Sequence, residues 1–154
     1  MTIARHPLTV SASIAALSIS GVTIKDVDEI PQSAVNLCPL IVPVPNNFIS
    51  NIQPVRQSFG GGGTAKIDFT YTLNYAFLFC EAGSGQGAFA PYDGLLEKLV
   101  TILETMLSND DISGAVDMQV DSIGEIGVIS DPSNKNFWGV LFSLRCLEFA
   151  QSQD

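Results

Sequence analysis

The stretch KIDFTYTLNYAFLFC, residues 66–80, constrains this chain more than any other. Ile67, Phe69, Tyr71, Leu73, Tyr75, Phe77 and Phe79 form an unbroken apolar row of period two. The alternate positions begin polar (Lys66, Asp68, Thr70, Thr72, Asn74) and turn apolar at Ala76, Leu78 and Cys80. Such alternation predicts one long β-strand, with one face buried throughout and the other wet at its start and dry at its end. At roughly 3.4 Å per residue the strand would reach about 50 Å, longer than most strands in a domain of this size. Part of it is therefore expected to project as a hairpin arm. The backbone groups of such an arm need a neighbour, and a partner subunit is one candidate.

Around this strand the chain divides readily. Leu8, Ala12, Ala15, Ala16 and Ile19 fall at helical spacing, so residues 7–18 read as a first helix with Pro7 in its first turn. Residues 22–27 read as a short strand. Pro31, Pro39, Pro43, Pro45 and Pro54 surround an apolar patch at 37–44. Proline at that density excludes a helix and a central strand, because it removes ladder donors and fixes φ. Residues 31–65 are thus expected as an extended Pro/Gly-rich segment and loop over the surface, with an edge strand near 40–42. Ser58, Phe59, Gly60, Gly61, Gly62, Gly63 and Thr64 read as a flexible loop, since consecutive glycines lose much entropy on ordering. A phosphate cradle would need GxxxxGK[ST] between a strand and a helix, and here Lys66 continues into a strand. Hairpin tip or docking loop is the better reading.

A second glycine loop, 82–87, contains Gly83, Ser84, Gly85 and Gln86. Pro91 then opens a helix with Asp93 in its first turn, where an acid favours the dipole. Leu95, Leu99, Ile102, Leu103 and Met106 form its apolar stripe, with Glu97, Lys98, Thr101 and Glu104 facing out. Residues 115–121 alternate again, 125–130 read as a short strand, and 131–136 form a turn by composition. Residues 137–150 are apolar on both faces, the pattern of a strand in the middle of a covered sheet. Its one basic residue, Arg145, is expected to pair with an acid or reach an interface. The sum is one α+β domain over residues 1–154: a mostly antiparallel sheet of four or more strands, two packed helices and a long projecting β-hairpin or strand.

Little in the sequence points to chemistry. The single histidine, His6, stands in no pattern with Cys or Ser, which leaves no material for a Ser-His-Asp or Cys-His site. Asp110/Asp111 read as a helix-end loop and Asp117/Asp121 as the solvated edge of a strand, so no catalytic residue, metal site or cofactor is expected. Cys38, Cys80 and Cys146 form no CxxC pair and are odd in number, which favours a reducing compartment over a disulfide framework. Arg5 and His6 precede a mildly apolar run broken by Thr9, Ser11, Ser13 and Ser18; it is read as a helix rather than a cleaved leader. No stretch approaches the ~20 apolar residues of a membrane span. The chain is 46% hydrophobic and 15% charged, a balance that fits a subunit whose apolar surface neighbours cover or a well-packed monomer with a Ser/Thr/Gly-rich surface. Its formal charge of −9, from 16 acids against 7 bases, argues against neutralising nucleic-acid phosphates. It permits DNA to slide past without sticking, but on charge alone ordinary acidic solubility is the better reading.

The order of segments carries a resemblance. YTLNYAFLF, a GSG loop, a helix with Tyr92 and Leu95-Leu96, then SGAVDM and GVISDPSNKNFWGVLFSLRCLEF resemble small tail-completion proteins of long-tailed (siphovirus-type) bacteriophages and prophages. More narrowly, the chain is similar to the tail terminator group. The resemblance spans residues 22–149 and is strongest at 127–138 and at Arg145-Cys146-Leu147-Glu148-Phe149. It implies a sheet with two helices, and a hexameric ring at the head-proximal end of the tail tube. That ring stops tube growth and meets the head connector or stopper protein, while genomic DNA passes through unbound. Six copies at −9 each would carry −54, an acidic bore that repels DNA. The joints to neighbouring subunits or the tube would then be the first glycine loop (58–64), the wet side of the long strand (Lys66, Asp68, Thr70, Thr72), the second loop (Gly83, Ser84, Gly85, Gln86) and Arg145. Two alternatives stay open: another neck protein such as a head-completion or stopper ring, and, from a different class, a small-ligand-binding domain.

Overall fold

A computed structural model describes residues 2–3, 7–19, 21–34, 37–45, 47–59, 65–82, 89–107, 111–112, 116–148 and 150–151. In chain order the elements are β1 (Thr2–Ile3), α1 (Pro7–Ala15), β2 (Thr23–Ile24), β3 (Leu40–Pro43), β4 (Ile49–Phe59), β5 (Ala65–Glu81), α2 (Phe89–Leu107), β6 (Asp111–Ile112), β7 (Val116–Ile123), β8 (Gly127–Ser130), β9 (Asn136–Glu148) and β10 (Ala150–Gln151). The fold is α+β, as the alternation and the helical stripes require.

The apolar row of residues 67–79 becomes β5, and β9 runs antiparallel beside it from Phe69↔Glu148 to Glu81↔Phe137. These two long strands form the spine of the main sheet. Outside β5 lie β4, paired with its first half, and β3, paired from Tyr75 to Leu78. Outside β9 lie β8, opposite Asn136–Gly139, and β7, opposite Phe142–Glu148. Two-residue β2 adds to β3 in parallel, so the sheet is mixed rather than purely antiparallel.

Opposed residues in an antiparallel pair share a face. Tyr71, Leu73, Tyr75 and Phe77 thus stand beside Cys146, Leu144, Phe142 and Val140, all buried. Val10 and Ile14 of α1 and Leu95, Leu99, Ile102 and Met106 of α2 pack over this face in one core. Burying each Leu, Ile or Met stabilises by about 1.5–3 kcal/mol, enough for the α2 stripe alone to hold that helix down. Gly139 fits a narrow gap. A Cβ there would fall inside contact distance of the Phe77 carbonyl oxygen, where an extra residue in β5, Phe79, bulges between Leu78 and Cys80.

Four readings of the sequence need correction. Ser58 and Phe59 are not loop but the end of β4, in register with Lys66 and Ala65; residues 60–64 lie outside the described residues. Residues 31–65 are more ordered than an extended cover, because β4 runs for 11 residues inside them. Pro54 survives in that strand because β4 borders the sheet and carries two register shifts, Ser50/Gln53 and Pro54/Arg56. Asn51 occupies the first bulge at φ 54, a conformation Asn tolerates better than most residues. Finally, β3 is not an edge strand, since β2 pairs with it. Residues 22–27 shorten to β2 followed by a helical turn, Val27–Glu29, capped by Asp26.

Candidate interaction surfaces

The face of the sheet away from the helices has two unlike halves, set by the wet-to-dry change along β5. At the polar end Thr70 and Thr72 oppose Leu147 and Arg145, and Gln119 lies beyond Arg145; Thr72 is buried here rather than wet as the alternation implied. Thr70, Thr72 and Arg145 line a polar hollow of ≈ 210 Å³ with Asn51, Gln53 and Asp121. Three of the sequence-predicted residues are therefore brought together here, with Arg145 exposed. Lys66 and Asp68 lie further out on β5, opposite Ser58 and Arg56. Gly60, Gly61, Gly62, Gly63, Thr64, Gly83, Ser84, Gly85 and Gln86 lie outside the described residues.

Asn74 joins the two halves. Its Nδ2 donates to the Asn47 carbonyl at 2.7 Å and to Ser50 Oγ at 2.9 Å, and its Oδ1 accepts from Ser143 Oγ at 2.7 Å. Its backbone N–H meets the Phe48 carbonyl and its carbonyl meets Val44 N–H. One residue therefore fixes the chain where it passes from β3 to β4.

At the dry end lies an open groove of ≈ 380 Å³. Its floor is Ala76 and Leu78 of β5, Leu40 and Val42 of β3, Ile129 of β8 and Leu141 of β9; its walls are Ile30–Pro31 and Pro43–Pro45. Leu141 is 48% exposed despite sitting in the middle strand, so the expectation that both faces of β9 are covered fails at this point. The residues beneath form a second small core with Ala34 and Phe137.

Asp131 secures one wall. Its Oδ2 accepts the Ala34 N–H at 2.8 Å, tying the segment before β3 to the β8–β9 turn. Its Oδ1 accepts the Ser133 N–H at 2.9 Å, the Ser133 hydroxyl at 2.6 Å and the Lys135 N–H at 2.9 Å. Burial alone would raise this carboxyl's pKa. The Ser133 hydroxyl and the three backbone N–H groups outweigh it and hold the pKa below the usual value.

Burial, with Cys80, Glu81 and Asp131 nearby, pushes the Cys38 thiol up to about 11, and burial raises Cys80 as well. A thiol so protonated is a weak nucleophile at neutral pH. The Tyr75 hydroxyl is driven upward by burial, near Ser11, which donates to Asp26. Among the described residues no group of His, Cys, Asp and Glu is placed to hold a metal ion, and no helix is long and apolar enough to cross a membrane.

Sequence reasoning passed over one further surface. On α2, Leu96 and Val100 stand off the buried stripe and are 48% and 54% exposed. Their i, i+4 spacing was the available signal. No protein-family model matches this chain, and no curated protein matches it in sequence. Its functional reading therefore rests on its own residues and geometry.

Proposed function

We propose that this chain is a structural virion protein. It forms a ring at the head-proximal end of a phage tail tube, ends tube polymerisation and joins the tail to the head connector, with the genome passing through the bore. It assembles in the bacterial host cytoplasm, resides in the virion neck and catalyses nothing. The observation that carries this reading is the β4–β5 hairpin. The ladder with β9 begins only at Phe69, so the outer pairs from Arg56↔Asp68 to Phe59↔Ala65 extend past it as an arm. Among the described residues nothing pairs with the outer edge of β4. Such an edge presents free N–H and C=O groups that a neighbouring copy or the tube protein can take up by strand addition.

The net charge of −9 supports the same reading, because an acidic bore lets DNA pass without retention. Deleting the gene tests it. Overlong tails are expected of a terminator, whereas normal tails beside leaking heads would reassign the chain to a stopper ring. A small-ligand site is the second reading, favoured by the groove, whose volume falls in the range of about 300–1,000 Å³ typical of ligand pockets. A stable monomer that retains a small compound through purification would favour it.

A further inference from the structure

Two β-bulges build the polar hollow. Beneath it β5 and β9 run in even register, with Thr72 directly opposite Arg145. On one flank the ladder of β4 slips between Ser50 and Gln53, and Asn51 turns through φ 54 at the slip. On the other flank β7 slips between Val120 and Ser122, so Asp121 is its extra residue. The bulges bring Asn51 and Gln53 from one side and Asp121 from the other to the same hollow as Thr70, Thr72 and Arg145. Bulges re-aim side chains in this way beside functional sites.

Several of these side chains lack a partner. Among the described residues neither the Arg145 guanidinium nor the Asp121 carboxylate forms an ion pair or a hydrogen bond, although both line one hollow. The Thr72 hydroxyl forms none either, and that residue is only 6% exposed. Bulk water solvates an exposed charge. A hydroxyl buried so far carries a desolvation cost until a group in the hollow bonds to it.

The charges decide what fits. A lone anion gains Arg145 but meets Asp121, a lone cation meets the reverse, and an apolar molecule leaves both charges unpaired. Tyr71, the one aromatic residue of the lining, is 1% exposed and offers no open ring face to stack a sugar. The volume of ≈ 210 Å³ lies below the about 300–1,000 Å³ of pockets for drug-sized ligands. We propose that the hollow binds a small zwitterion, a free α-amino acid. Its carboxylate takes the fork of Arg145, its ammonium group faces Asp121, and the Thr72 hydroxyl and the Asn51 and Gln53 amides bond what remains. The site does not depend on the ring proposed above.

Isothermal titration calorimetry of the full chain with each common L-α-amino acid in turn tests this, with acetate and methylamine as single-charge controls. At least one amino acid should bind, and neither control should. Arg145→Gln and Asp121→Asn should each weaken that amino acid about tenfold or more, the effect of losing one charge-assisted contact. R145Q should also bind the amino acid and its amide alike, and D121N the amino acid and its N-acetyl derivative alike. Thr72→Val separates a ligand contact from a structural one. Removing an unpartnered hydroxyl should leave the Tm of the empty chain unchanged or raise it, while weakening the amino acid. Circular dichroism confirms that each variant is folded. The proposal is overturned by a chain that binds no amino acid, by controls that bind as tightly, or by folded R145Q and D121N that both keep full affinity. A T72V chain that melts lower yet binds unchanged overturns it as well.

Discussion

Replacing Asp131 by Asn removes the negative charge from a site built only of donors. Three backbone N–H groups and one hydroxyl converge on the carboxylate, so the Asn amide NH2 must face at least one of them. Hydrogen bonds to a charged group contribute about 1.5–3 kcal/mol each. Water can replace the partner of the turn donors Ser133 and Lys135 more readily than that of Ala34, which is 2% exposed. Losing the Ala34 bond and weakening the others should cost about 2–4 kcal/mol. For a domain of this length that is a fall in Tm of roughly 5–15 °C. The assay is thermal or urea unfolding of D131N beside the unaltered chain at one protein concentration. The pH dependence has a definite sign. A carboxyl whose folded pKa is depressed contributes stability above its unfolded value, near 3.9, and that contribution fades as pH falls through the folded pKa. The gap between the two proteins should be full at pH 7 and shrink below about pH 4. A difference under about 0.5 kcal/mol at pH 7 would refute the role given to Asp131.

Other substitutions probe other joints. Asn74→Asp places an acceptor against the Asn47 carbonyl and Ser50 hydroxyl, and urea unfolding should register a loss of roughly 2–3 kcal/mol. Gly139→Ala forces β9 away from the Phe77 carbonyl; a cost of about 1–3 kcal/mol is expected, and an unchanged Tm would contradict the close approach. Because Cys38 ionises only near pH 11, its alkylation in the folded protein should be slow at pH 8 and accelerate steadily as pH rises towards that value. Equal rates at pH 7 and pH 10 would contradict that assignment.

What the sequence disclosed depended on whether the determining contacts were local. The β5 strand declared itself because alternation is written into consecutive residues, and the polar-to-apolar change at Ala76 marked where the back face passes into the apolar groove, although Thr72 before it is already buried. The α2 stripe was equally plain. By contrast, β4 was hidden: Pro54 argues against a strand, and only the bulges that bend this edge strand make it acceptable. The groove was hidden for another reason. Its floor and walls come from Ile30, Val42, Leu78 and Leu141, which no sequence window joins. Leu96 and Val100 were visible as apolar residues off the stripe, yet a surface Leu is ordinary. Of the expected interface residues, Thr70, Thr72 and Arg145 share one hollow, because β5 and β9 pair in the register Thr72↔Arg145.

The most direct measurement of the central claim is where the chain sits in an assembled particle. Virions produced by the genome that encodes it, imaged with a gold-labelled antibody against this chain, should carry label at one place, between the head and the tail tube. Label on the capsid surface, along the tube or at the distal tip, or particles free of it, would contradict the account.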